Sequence, residues 1–204
     1  MKKRDVFLTL LLPCLGCVLS GCSKDAVGIA PYELTKEEQS LLASFGMTDT
    51  SRIFRFHAPK EAATLHINAY QLDTDGKWKK NDDGAVSIDS AQDSVQGMEL
   101  KGTLAMEMQD DYSIDFHVNC AGRSSFTSDA GKLAQDQDYL ASGKGFLDEF
   151  QNIELNKEIP IAVIIYDNGT SMRSYSVNDY FDPSVFEGMD LVQAITVEFS
   201  EQEL

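Results

Sequence analysis

Cysteine is scarce in this chain of 204 residues, and three of its four cysteines, Cys14, Cys17 and Cys22, fall at the start. Cys14 and Cys17 sit in an apolar leader of the kind removed on export. With Cys22 at the end of that leader, Cys120 is the one thiol left to the folded part. An intramolecular disulfide framework is therefore excluded, and so is a cysteine zinc cluster. Catalytic signatures are also missing. The sequence has no GxSxG, SxxK, HExxH, Walker loop or dinucleotide fingerprint. Basic side chains are few, with 17 Lys and Arg against 33 Asp and Glu. Such a balance repels phosphate backbones and anionic headgroups, which argues against nucleic acid and against membrane contact beyond a lipid. No apolar run reaches the roughly 20 residues of a bilayer-spanning helix. The longest, Val6 to Val18, also carries Pro13 in its middle.

What the N-terminus does contain is an address. Met1-Lys2-Lys3-Arg4 is a basic segment, the apolar run follows, and Leu19-Ser20-Gly21-Cys22 closes it. That order is an export signal. The four residues "LSGC" resemble a bacterial lipobox, which implies a diacylglycerol thioether on Cys22 and removal of residues 1–21. Two or three buried acyl chains, at about 0.8 kcal/mol per CH₂, hold a protein firmly on a membrane. The expected layout is a signal peptide over 1–21, a lipidated tether over 22–32 and a single β-rich extracytoplasmic domain over 33–204. Loss of Lys2, Lys3, Arg4 and Asp5 with the signal leaves 14 basic and 32 acidic side chains, a surface suited to an ion-rich exterior.

Along the domain the periodicity is mostly that of strands. Thr35 and Glu38 form a capping box for a short helix over 36–45, with Leu41, Leu42 and Phe45 on one side and Gly46 at the C-terminal stop. From residue 52 the period falls to two. Phe54, Phe56 and Ala58 share one face, and Leu65, Ile67 and Ala69 oppose His66, Asn68 and Tyr70. "DTDGK" is a hairpin turn, Trp78 opens its return strand, and "AVSI" at 85–88 reads as a separate strand. Leu104, Met106 and Met108 must meet the face carrying Tyr112, Ile114, Phe116 and Val118. Matching those faces needs an odd loop, 109–111, with Met108 opposite Tyr112, Leu104 opposite Phe116, Thr103 opposite His117 and Asp111 left-handed. Residues 121–145 read as a long polar excursion, followed by a helical turn pinned by Phe146, Leu147 and Phe150. "IPIAVIIY" is apolar on both faces, a strand covered on both sides. "DNG" at 167–169 is a turn with "TSMRSYSV" as its return, and "LVQAITVEF" is the last strand. The sum is an antiparallel β-sandwich, or a barrel-like relative, of about eight or nine strands with a short N-terminal helix.

Candidate sites are sparse. Asp73, Asp75, Asp82 and Asp83, with Asn81, offer oxygens of the type that Ca²⁺ takes, but Trp78 stands where an EF-hand loop needs glycine. An exposed Trp78 would stack on a sugar or anchor a partner. Arg123 and Tyr139 mark the excursion as a binding loop on a rigid sheet. Asp115, His117, Ser113 and Thr103 share an outward face and form the inventory of a triad without an oxyanion hole. The run from "LTKEEQSLL" through the strands to the final "VEF" resembles small uncharacterised surface lipoproteins of Gram-positive bacteria. That resemblance brings a domain with no known chemistry and no residue roles. The expectation is a non-catalytic module, lipid-anchored at the cell surface, that binds a glycan, a peptide or an envelope protein. A Ca²⁺-supported structural lipoprotein and a hydrolase with an unrecognised site are the alternatives.

Overall fold

The computed structural model describes residues 26–87, 99–120, 122–129, 139–169 and 173–204. The lipobox and Cys22 lie outside the described residues. Ten strands appear within them: β1 (Gly28–Pro31), β2 (Ser51–His57), β3 (Thr64–Leu72), β4 (Trp78–Ser87), β5 (Lys101–Met108), β6 (Ile114–Asn119), β7 (Arg123–Ser128), β8 (Ala141–Phe146), β9 (Ile159–Asp167) and β10 (Leu191–Ser200). They form two five-stranded antiparallel sheets. Sheet I runs β1-β2-β5-β6-β7 and sheet II runs β4-β3-β10-β9-β8. The sandwich expectation holds, and neither sheet closes into a barrel.

The two-residue period does the sorting. Phe54, Phe56, Leu104, Met106, Ile114, Phe116 and Val118 leave sheet I on its inner face, all buried. Leu65, Ile67, Ile195, Val197 and Phe199 meet them from sheet II in one core cluster. Rings interlock there, Phe56 on Phe199 at 5.7 Å and Phe116 stacked on Phe126 at 4.9 Å. Removing one such ring to alanine costs about 3–5 kcal/mol. Strand β9 is buried at all nine positions. Its inner face joins the main core. Its outer face, Val163 and Ile165, is roofed by Phe186 and by the partly buried Tyr175, Tyr180, Val185 and Met189. Two 3₁₀ turns, Val177–Phe181 and Pro183–Phe186, carry most of that roof.

Both sides of the sandwich are bridged. Residues 147–151 cross from sheet II to sheet I, where Ile29 and Gln151 exchange two backbone hydrogen bonds of 2.8 Å. On the other side the Phe126 ring lies where a Cβ on Gly84 would stand.

Several expectations need correcting. Residues 28–31 are not tether but the edge strand β1. Ile29 plugs the core, and one buried side chain is too short a signal for periodicity to reveal. The helix α1 (Lys36–Ser44) has the expected capping box, but Leu41 and Phe45 are 59% and 72% exposed. Its ends and its contacts near Tyr32 hold it, not an apolar face. Residues 78–87 make one long strand, because a bulge at Ala69/Tyr70 absorbs Asn81 instead of a second turn. The β5–β6 loop is odd as expected, but one residue later. Gln109 and Ser113 flank a loop of 110–112, so Met108 faces Ile114, Leu104 faces Val118 and Ala105 faces His117. The left-handed residue is Tyr112 (φ 67°), not Asp111. Asp111 instead accepts the Ser113 amide at 3.1 Å and the Ser113 hydroxyl at 2.5 Å, while the Tyr112 ring packs on Tyr166 and Tyr139. No helical turn forms at 147–150, and residues 173–176 are not a return strand. The excursion contains β7 and β8.

A methyl group on Gly102 would meet the Asn119 carbonyl oxygen at 2.0 Å, a backbone atom that has nowhere to go. Gly102→Ala should lower stability by about 1–3 kcal/mol, read as an earlier urea midpoint at constant slope. Leu41→Ala, on the exposed helix face, should stay within about 0.5 kcal/mol.

Candidate functional site

The roof over sheet II is fastened by one carboxylate. Glu158 lies just before β9 and is half-buried. One of its oxygens accepts the Tyr70 hydroxyl and the Asn68 amide, at 3.2 Å for the latter, and the other accepts the Tyr180 hydroxyl at 3.0 Å. Asn68 extends the network to Thr196 at 3.3 Å and to the Lys80 ammonium at 2.9 Å. Strands β3, β4 and β10 thus share a polar web with the residue that precedes β9 and with the 177–181 turn. That turn starts at Ser176, whose hydroxyl accepts the Asn178 amide while Asp179 accepts the Ser176 amide. Burial first, and then the hydrogen bond to Glu158 and its charge, push the phenols of Tyr70 and Tyr180 far above their ordinary range.

The turn sets its two neighbouring aromatics to opposite uses. Tyr180 stacks on Trp78 at 5.3 Å and packs inward, while Phe181 is 68% exposed. Phe181 and Asn178 stand at the rim of a hollow of about 280 Å³, with Asn152, Glu154, Lys157 and Glu158 around it. Lys157 and Glu154 pair across 3.2 Å. Amides, carboxylates and an ammonium supply donors and acceptors together, and the Phe181 ring supplies an apolar face. A space of this size takes a small ligand group and is below the usual range for drug-sized molecules.

The residues singled out in the sequence fall elsewhere. Trp78 is not an exposed platform. Its indole N–H donates to the Tyr180 carbonyl at 2.8 Å and its ring meets Phe186 edge-on, so it seats the roof. Tyr139 is half-buried against Tyr112 and Tyr166, part of the core wall and not a loop contact. Arg123 is exposed at the start of the edge strand β7. Asp73 accepts the Asp75 and Lys77 amides within its own turn. Asp82 and Asp83 lie well along β4, opposite Ala69 and Asn68, so the four acids do not converge. Among the described residues no group of three or more His, Cys, Asp or Glu is placed to hold a metal ion.

The triad inventory is dispersed as well. His117 pairs with the Ser125 hydroxyl at 2.8 Å. Asp115 accepts from Thr127 and, at 2.8 Å, from Gln109. Ser113 is buried against Asp111, and Thr103 faces Asn119 instead of His117. Asp115 and His117 each bond to β7 and not to each other. Sequence reasoning passed over Glu158 and Phe181, because their partners stand far away in the chain. The one available hint was the adjacent pair Tyr180-Phe181, which a short 3₁₀ turn splits between inside and outside.

No protein family, curated protein or solved structure matches this chain. Among the described residues no helix is long and apolar enough to cross a membrane.

The Glu158 web has a spectroscopic signature. A phenol whose pKa is raised by folding stabilises the fold below the unfolded value near 10 and loses that contribution as pH climbs through the folded value. Tyrosinate absorbance should therefore rise in more than one wave, with Tyr166, pushed up to about 12 mainly by burial, Tyr70 and Tyr180 ionising late. Glu158→Gln removes the carboxylate charge and should bring two of the late phenols to lower pH while leaving Tyr166 in place.

Proposed function

We propose that this chain is a lipid-anchored, non-catalytic binding module of a bacterial cell envelope, and that its ligand is a glycan taken up beside Phe181. The observation that carries this reading is the exposed Phe181 ring at the rim of a hollow edged by Asn152, Asn178, Glu154, Lys157 and Glu158. An aromatic face suits the C–H side of a sugar ring, and mixed donors and acceptors suit its hydroxyls. The Glu158 web and the stacked Trp78 keep the Phe181 turn in place before ligand arrives, which lowers the ordering cost of binding. The dispersal of Asp115, His117 and Ser113 supports a role without turnover. Export and attachment through Cys22 rest on the "LSGC" motif after an apolar leader.

Saturation-transfer NMR of residues 23–204 against soluble peptidoglycan fragments and neutral oligosaccharides tests the ligand class. Phe181→Ala should weaken the binding of any responding saccharide about tenfold, the scale of losing one central aromatic contact, with an unchanged melting temperature. Equal affinity in the variant, or silence across the panel, would sink the glycan reading. The anchor is tested separately in a bacterial host fed labelled palmitate. Label should enter the wild-type chain and be lost in Cys22→Ser, together with retention in the membrane fraction.

A further inference from the structure

The register of sheet I sorts its outer face by charge. At the end where the chain enters, Gly28, His57 and Lys101 lie side by side. The next row across the sheet is Ala30, Arg55, Thr103, Asn119 and Arg123. A third is Ile53, Ala105, His117 and Ser125. No position in these three rows is acidic, in a chain with 33 acids. Carboxylates return only in the fourth row, as Glu107 and Asp115. The nearby Glu99 is 2.9 Å from His57 and is paired with it. Among the described residues no ion pair engages Arg55 or Arg123. Between Arg55 and Lys101 a hollow of about 200 Å³ opens, lined by Gly28, Ala30 and Gly102 and flanked by Phe150.

That hollow is also lined by Ala26, four residues after Cys22. Four residues of extended chain reach about 14 Å at most. A lipid on Cys22 therefore keeps this end of sheet I close to the headgroup layer, within one or two Debye lengths at physiological salt. Acidic surface elsewhere is pushed from an anionic leaflet, and the row that carries Arg55 and Arg123, in which no described position is acidic, is drawn to it.

We propose that the outer face of sheet I at this end, through Arg55, Lys101 and Arg123, docks on anionic phospholipid headgroups of the membrane that bears the anchor. The proposal rests on the lipid attachment at Cys22 and is independent of the glycan hollow. Net charge alone argued against membrane contact. The strand register overrides that argument locally, because it gathers cations into two adjacent rows while the acids collect elsewhere. Docking fixes the domain's orientation, tilted so that the Glu107–Asp115 row, two rows farther along the same face, stands off the bilayer.

The test uses the full lipidated chain in vesicles of phosphatidylcholine alone or with phosphatidylglycerol added. Vesicle flotation is scored first, then acetylation of Lys101 is compared with that of Lys77, which lies in the hairpin turn at the opposite end. Lys101 should be protected several-fold only when phosphatidylglycerol is present, and high salt should remove the protection. The double variant Arg55→Glu, Arg123→Glu should abolish it while the chain still floats. A chain that floats with Lys101 equally reactive in both vesicles overturns the docking and leaves the anchor standing. A chain that does not float overturns the anchor and the docking together. Protection by soluble polyphosphate in phosphatidylcholine vesicles, with none from phosphatidylglycerol, overturns it in favour of an anionic polymer.

Discussion

Strand β9 has no wet face, and the arrangement of the rest follows from that. A strand buried at all nine positions needs apolar cover on two sides. Sheet I supplies one cover through the main core. The other is a short irregular strip, 175–189, folded back over Val163 and Ile165. Irregular backbone pressed on an apolar sheet must still satisfy its polar groups. It does so with two 3₁₀ turns, the first capped by Ser176 and Asp179, and with the Tyr180 hydroxyl aimed at Glu158. The candidate ligand hollow is a by-product of that solution. The first turn of the roof carries Asn178 and Phe181 to its border, and the gap between that turn and the 152–158 segment is the hollow.

The parts of this fold that could be read in advance were those governed by local repetition. Alternation assigned Phe54 and Phe56 to the core, and the doubly apolar "IPIAVIIY" to a strand covered on both sides. The reciprocal Thr35–Glu38 cap marked a helix, because both partners lie within four residues. What could not be read depended on contacts between distant segments. Ile29 belongs to the core because β1 is held on both sides, by β2 and by the backbone of Gln151. The β5–β6 loop kept its parity because a wrong parity would turn every side chain over. Its exact place was decided by the Tyr112 ring, which packs on Tyr166, more than fifty residues later in the chain. Asp73 and Asp82 look clustered in sequence and are separated along a strand, since an extended chain moves about 3.3 Å per residue.

Trp78 illustrates the same point for function. A lone tryptophan beside three lysines invites a reading as a platform. In the fold its stacking partner is internal, and its ring spends its area on Tyr180 and Phe186. The exposed ring of the roof is Phe181, held in place from beneath by Trp78 through Tyr180. Charge behaves likewise. A total of −16 describes the whole chain, whereas a ligand or a surface meets one face at a time. Three rows of sheet I are as free of carboxylates as if they came from another protein.

The pair of backbone hydrogen bonds between Ile29 and Gln151 has a mechanical meaning. Strand β1 is only four residues long, but it is held along both edges, by β2 on one and by Gln151 on the other. With the lipid anchor proposed at Cys22, every tug on the chain would pass through this strand. Force directed along β1 loads its cross-strand bonds in parallel, so they must yield together and not one after another. A short edge strand that would peel easily from one side is thereby made into a buckle, and the core behind it is shielded from the pull.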